Sequence, residues 1–146
     1  MSATSNAQTQ VYSQNFDTDS TADWVTNVVG AGWSAADFYF DYSAVGIPPA
    51  PHSTGGTTRG LKMVVNLGVG SAGTFPAGIS VSPIGFGLSA NENFDMEFDM
   101  WLNYDASGNG STECGGAGYG TAGDSAQTAG QADSIFIATT TDGGSS

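Results

Sequence analysis

The clearest feature of the chain is a regular alternation of apolar and polar positions along residues 94–104, which read FDMEFDMWLNY. Every second residue from Phe94 to Tyr104 is apolar or aromatic, whereas the residues between them are acidic or amide side chains, apart from Trp101. Side chains of a strand point alternately to its two faces, and a helix would mix these two sets around its circumference. The alternation therefore predicts a half-buried antiparallel strand with one apolar face and one acidic face.

Shorter apolar runs between turn-forming residues predict more strands on both sides of this segment. They cover residues 11–16, 24–29, 37–43, 60–66, 77–81 and 134–140. No segment keeps the i, i+3, i+4, i+7 apolar spacing of an amphipathic helix for long, so no helix is predicted. Paired prolines and glycines in residues 46–60 predict a long structured loop, and the Gly-, Ser- and Ala-rich residues 105–133 have little to bury. The pattern indicates an all-β fold with two antiparallel sheets, a sandwich or jelly roll.

The length of 146 residues fits a single domain. Residues 1–10 are small and polar, which predicts a flexible N-terminal arm, and residues 11–146 form the single predicted β-sandwich domain. The sequence stops shortly after a predicted strand, where a two-sheet sandwich would be expected to return at least once more. The domain is therefore expected either to be a fragment or to complete its sheet with a neighbouring chain.

The chain is strongly acidic, with 14 Asp and Glu residues, two Lys and Arg residues and a formal net charge of -12. Phosphate backbones and anionic lipids would repel such a surface, which argues against nucleic acid and membranes as partners. Bound cations or a basic protein partner fit it better. No apolar run approaches the length that membrane insertion needs, and the N-terminus lacks the charged and apolar parts of a signal peptide. The single cysteine, Cys114, cannot form an intrachain disulfide.

Several segments, taken in order, resemble concanavalin A-like (laminin-G-like) jelly-roll domains of the kind found in secreted bacterial proteins, including ones that carry PEP-CTERM sorting tails. These segments are VYSQNFDTD, FDYSAVGIPPAPHSTGGTTRGLKM, SVSP, FDMEFDMWLNY, GSTE and DSIFIATTTDGG, which lie within residues 11–144. The resemblance implies two curved antiparallel sheets, often with a carbohydrate or calcium site on the concave face or rim. It also implies an extracellular or cell-surface location.

The segment EFDMWLN is similar to the active strand of family 16 glycoside hydrolases, in which a Glu nucleophile, an Asp two residues on and a second Glu act together. Glu97 and Asp99 match the first two, but Asn103 stands where the second Glu would be. A retaining glycosidase needs two carboxyl groups, and an amide cannot donate the proton, so no enzyme is expected. A non-catalytic sugar platform is the alternative use of this face: Trp101 would stack on a pyranose ring while Glu97, Asp99 and Asn103 make hydrogen bonds. A solvated or packed face without a ligand is the other interpretation.

The segment DASGNGSTE resembles the start of a calcium loop. Asp105, Ser107 and Asn109 present oxygens at positions 1, 3 and 5, and a glycine stands at position 6. The usual Glu at position 12 is missing, and Glu113 at position 9 would partly substitute for it. The competing interpretation is a polar, Gly-rich hairpin loop that binds no metal.

A second aromatic run, DFYFDY at residues 37–42, places Phe38 and Phe40 on the predicted core face of its strand. Tyr39 lies on the opposite face. It is a candidate for joining Trp101 on a ligand-binding surface or for contacting another subunit, and the sequence does not choose between these roles.

Two functions fit these features. The first is a non-enzymatic concanavalin A-like module that binds carbohydrate or a cell-surface or matrix component. The second is a structural assembly protein, such as a virion decoration, fibre or surface-layer subunit, which would associate with copies of itself or with a basic shell protein through its N-terminal arm or an open sheet edge. The resemblance favours the binding module. Calcium is the only cofactor that either hypothesis would use.

Overall fold

The computed structural model describes residues 9–29, 34–53, 56–65, 67, 78–89, 93–102, 114–120 and 134–140. Within them, six strands form three antiparallel pairs. The strands are β1 (Trp24–Val29), β2 (Ala35–Asp41), β3 (Arg59–Val64), β4 (Gly78–Pro83), β5 (Cys114–Gly120) and β6 (Ser134–Thr140). Two short 3-10 turns, Thr21–Asp23 and Tyr42–Val45, are the helical elements of the described residues. The all-β prediction is confirmed at this level.

The strand pairs are nested along the chain. β1 pairs with β4 over its whole length, from Trp24 opposite Pro83 to Val29 opposite Gly78. β2 and β3, which lie between them in sequence, pair with each other, and β5 pairs with β6. The β1–β4 pair therefore depends on a long-range contact across more than forty residues, which a simple series of hairpins would not require.

β2 has the alternation that its sequence predicts. Phe38 is 3% exposed, and Phe40 on the same face is half-buried, whereas Asp37 and Tyr39 are exposed. The register with β3 shifts between Asp37 and Phe40, so a bulge lies next to the buried phenylalanine. β2 ends at Asp41. The Asp41 carboxylate accepts hydrogen bonds from the backbone N–H and hydroxyl of Ser43, and so caps the 3-10 turn that begins at Tyr42.

The described core is a small group of stacked rings around Trp24. Its indole packs on Phe38 and on Phe16, each with ring centroids 5.7 Å apart, and meets Tyr12 edge-on at 6.2 Å. Phe86 extends the group through Tyr12 at 4.9 Å. Burial and the charge of Asp23 raise the pKa of the Tyr12 phenol. The group joins the N-terminal segment to β1, β2 and the residues after β4.

The predicted strand at residues 11–16 is wrong. Phe16 has a φ of 58°, the left-handed region, which no strand residue adopts. Its backbone N–H donates to the Gln14 side-chain oxygen, and the N–H of Asp17 donates to the Asn15 side-chain oxygen. Local side-chain acceptors take the place of ladder partners and turn the chain here. The turn directs the Phe16 ring onto Trp24.

The predicted strand at residues 94–104 is also wrong over the part that is described. Residues 93–102 belong to none of the strands that the structure describes. The apolar row that was expected to be buried is 38–44% exposed, at Phe94, Met96, Phe98 and Met100. Of the row, Met100 and Leu102 lie close to Gly115 of β5. Alternation supplies a strand only where a ladder partner is available, and side-chain contacts hold this segment instead.

Other predicted boundaries move by a few residues or are missed. The strands expected at 24–29 and 134–140 are found with those limits, and those expected at 37–43, 60–66 and 77–81 become β2, β3 and β4. β5 lies in the Gly-rich stretch where no strand was predicted, because CGGAGYG carries almost no apolar pattern. No helix among the described residues is both long and apolar enough to span a bilayer.

Candidate functional site

A cleft with a volume of about 360 Å³ opens between two separate segments of the chain. Its lining consists of His52 on one side and the consecutive residues Met96, Glu97 and Phe98 on the other. The cleft therefore combines an imidazole, a carboxylate and an aromatic ring with an apolar thioether side chain. The cleft is an open depression with a four-residue lining, so a ligand bound there would stay partly exposed to solvent.

The loop before the cleft presents His52 at the tip of a turn. Gly46 ends the 3-10 turn with a φ of 79°, and its N–H donates to the Ser43 carbonyl. Further along, the N–H of Ser53 donates to the Ala50 carbonyl at 3.0 Å, which closes a four-residue turn with Pro51 and His52 at its centre. Proline pre-sets the backbone of the first central position of such a turn. His52 is thereby held outward, and its side chain is 87% exposed.

Asp99 fastens this turn to the other side of the cleft. Its Oδ2 accepts the backbone N–H of His52 at 2.8 Å, and its Oδ1 lies 2.7 Å from the His52 ring nitrogen Nδ1. Both carboxylate oxygens are therefore used by a residue 47 positions away. An ionised carboxylate can only accept hydrogen bonds, so the proton of this contact belongs to Nδ1 and the imidazole is fixed in one orientation.

The same contact shifts the acidities of both groups. The hydrogen bond and the charge of Asp99, with a smaller contribution from the Glu97 charge, raise the pKa of His52 above its usual value, against a small opposing effect of burial. The hydrogen bonds that Asp99 receives from the His52 ring and backbone lower the pKa of the Asp99 carboxyl. Glu97 therefore lies close enough to His52 to favour the imidazolium.

The structure separates the residues that the sequence placed on one binding face. Glu97 lines the cleft, whereas Asp99 is occupied by His52. Trp101 is 57% exposed and is not part of the cleft lining. Met96 and Phe98, which were predicted to be buried, line the cleft instead. The predicted burial of the apolar row is wrong for this segment, and the predicted acidic binding face stays a prediction.

Tyr39 lies on β2 with a partner of its own. The Arg59 guanidinium carbon sits 4.4 Å from the centre of the Tyr39 ring, and its Nη1 donates to the Tyr39 carbonyl at 3.0 Å. Tyr39 does not contribute to the cleft lining. The Arg59 cation covers one face of the Tyr39 ring, and the role of Tyr39 in ligand binding stays a prediction.

The remaining predicted ligands lie outside the described residues. They are Asn103 of the sugar platform and the predicted calcium ligands Asp105, Ser107, Asn109 and Glu113. Within the part of the chain that the structure describes, no three His, Cys, Asp or Glu side chains are grouped as a metal site would require.

His52 is the site residue that sequence reasoning missed. Its loop was recognised as structured, but its role depends on Asp99, which follows 47 residues later. The available signal was the turn sequence PPAPH, which exposes the single histidine of the chain. No spacing rule connects that turn to the acidic positions of residues 94–104.

Comparison with known proteins finds no match of any kind: no family model, no curated protein and no solved structure is significantly similar to this chain.

The cleft can bind a ligand by complementary contacts. Phe98 offers an apolar aromatic surface, Glu97 accepts hydrogen bonds, and the Nε2 of His52 is the ring nitrogen that Asp99 leaves available. These are groups that recognise a compact polar molecule with one apolar face.

Proposed function

We propose that this protein is a non-enzymatic binding module that takes carbohydrate, as a free glycan or as part of a cell-surface or matrix component, into the cleft beside His52. The observation that carries the proposal is the combination in one open cleft of the Phe98 ring, the Glu97 carboxylate and an oriented imidazole. A sugar ring has an apolar face that stacks on aromatic side chains and a rim of hydroxyls that hydrogen-bond to carboxylate and imidazole.

The architecture that we propose for this module is a jelly-roll type β-sandwich with an extracellular or cell-surface location. Two features support the sandwich: the strands are antiparallel, and the pairing of β1 with β4 around β2 and β3 is nested. Such long-range pairing is common in Greek-key sandwiches. Trp101, 57% exposed and three residues beyond Phe98, would extend the binding surface for a longer oligosaccharide. Calcium, if it takes part, would be bound by the predicted loop that begins at Asp105.

The test is binding to a glycan array, followed by calorimetric titration of the best oligosaccharide. Phe98→Ala should weaken binding about tenfold, because removal of a stacked ring costs on the order of 1.4 kcal/mol. Phe94→Ala is the matched control, since Phe94 is a similarly exposed member of the same apolar row and does not line the cleft. Equal losses in the two variants, or no binding across the array, would contradict the proposal.

A second candidate function is a structural assembly subunit, and the exposed apolar row of Phe94, Met96, Phe98 and Met100 favours it. Burial of this row against another subunit would remove four partly exposed apolar side chains from water. The net charge of -12 favours a basic partner. Light scattering on the full chain and on a variant that lacks residues 1–10 distinguishes the two functions. A monomer in both forms supports the binding module, and an oligomer that dissociates without the arm supports assembly.

A further inference from the structure

The charges around the cleft are of one sign when His52 is neutral. Glu97 lines the cleft, and Asp99 holds His52 at its edge. The two basic residues of the chain lie on β3, where Arg59 covers Tyr39 and Lys62 lies 4.2 Å from the centre of the Phe40 ring. Neither lines the cleft. Within the described residues, His52 is therefore the one group at the cleft that can become positive.

Among the described side chains that line the cleft, the hydrogen-bonding groups are also of one kind when His52 is neutral. The Glu97 carboxylate accepts hydrogen bonds and donates none. In the neutral imidazole, the proton lies on Nδ1 towards Asp99, which leaves Nε2 as an acceptor. A cleft made of acceptors and negative charge favours a ligand that brings donors and positive charge.

We propose that the preferred ligand of this cleft is an amino sugar, whose amino group donates to Glu97 and to the Nε2 of His52 while the sugar ring packs on Phe98, and that protonation of His52 releases it. This assignment rests on the proposed carbohydrate-binding function and adds the class of sugar and its control by pH. A protonated Nε2 no longer accepts a hydrogen bond, and the imidazolium competes with the ligand's amino group for Glu97.

The first experiment compares two ligands that differ in one group, the glucosamine hexamer with free amines and the fully N-acetylated hexamer, by calorimetry at pH 7.5. We expect the free-amine hexamer to bind about tenfold more tightly, the advantage of one charge-assisted hydrogen bond. Glu97→Gln should reduce this preference to about twofold or less. Asp95→Asn is the matched control, because it removes the same charge from the same segment at a position outside the cleft lining. It should keep the preference.

The second experiment isolates the titration of His52. The affinity for the glucosamine hexamer is measured from pH 8 to pH 5.5 in the wild type and in His52→Gln, which keeps a neutral polar group. The ligand's own titration is common to both proteins, so the ratio of their affinities reports His52 alone. We expect the wild type to lose affinity relative to the variant roughly fivefold or more as the pH falls.

A third measurement needs no ligand. Because the chain has one histidine, its ring nitrogens give a single set of NMR signals, and these should show the proton on Nδ1 at high pH. In Asp99→Ala the proton should move to Nε2, the position that a free imidazole prefers.

The outcomes distinguish a failure of the amino-sugar assignment from a failure of the proposed carbohydrate binding. Equal or tighter binding of the N-acetylated hexamer, an affinity ratio that does not change with pH, or a wild-type proton on Nε2 would overturn the amino-sugar assignment and leave carbohydrate binding in place. No binding of either hexamer, or of any glycan on the array, would overturn both.

Discussion

Phe38 is the residue on which the described core depends. Among the residues whose burial the structure describes, which exclude β6, it is the one buried apolar side chain, and its ring packs on Trp24 at 5.7 Å. Removal of this ring would leave a cavity beside Trp24.

We therefore predict that Phe38→Ala lowers the free energy of unfolding by about 3–4 kcal/mol, measured by urea denaturation. Tyr39→Ala on the exposed face of the same strand is the control. It loses the contact with Arg59 and should cost about 1 kcal/mol or less. Similar losses in both variants would mean that Phe38 is not the centre of the core.

At the residue scale the sequence predicts β2 well and the cleft poorly. The alternation of DFYFDY correctly separates Phe38 and Phe40 from Tyr39, because a strand with a ladder partner buries one parity. The same logic fails for Met96 and Phe98, which line the cleft instead of a core. The local sequence pattern shows which residues share a face, and the segments that pack nearby in the folded chain decide whether that face is covered.

At the scale of elements, a polar contact ties the N-terminal turn to the residues before β3. The Asp17 carboxylate accepts hydrogen bonds from the Thr57 backbone N–H and hydroxyl, both at 2.7 Å, and from Asn15 at 2.8 Å. The contact spans 40 residues and fixes the turn that places Phe16 on Trp24.

Gly56 is required for this contact, because a side-chain carbon at Gly56 would overlap the Asp17 carboxylate. We predict that Gly56→Ala lowers Tm by a few degrees and exposes the amide of Thr57 to hydrogen exchange. Gly87→Ala is the control, since a carbon added there meets no atom within 4 Å. Unchanged exchange at Thr57 in Gly56→Ala would show that Asp17 and Thr57 do not depend on this close approach.

At the scale of the whole molecule, the ionisable contacts between distant segments predict an optimum of stability in mildly acid solution. The pKa values of Asp17, Asp41 and Asp99 are lowered by hydrogen bonds that their charged forms accept. These three carboxylates stabilise the folded chain fully above their ordinary pKa of 3.8. That stabilisation is lost as the pH falls through their lower pKa values in the folded chain.

The stabilisation that His52 provides depends on pH in the opposite direction. Its pKa is raised above 6.5 in the folded chain, so its contribution is complete below 6.5 and is lost as the pH rises through the raised value. We predict that Tm is highest between about pH 4 and pH 6.5. In a scan from pH 2 to pH 9, His52→Gln should flatten the decrease on the alkaline side, and Asp17→Asn should flatten the decrease on the acid side. A wild-type profile that rises steadily to pH 9 would contradict the role of His52.

The sequence by itself determined that the described part of the chain is built of antiparallel strands, where β1 and β6 lie, and which face of β2 is buried. Alternation, β-branched residues and turn-forming residues act over a few neighbours, so a linear pattern records them. Only the tertiary structure decided that Met96, Glu97 and Phe98 line a cleft with His52, that β5 forms in a glycine-rich stretch, and that Asp99 binds His52. Those features depend on contacts between segments up to 47 residues apart, and no periodicity along the chain encodes which distant carboxylate will meet which imidazole.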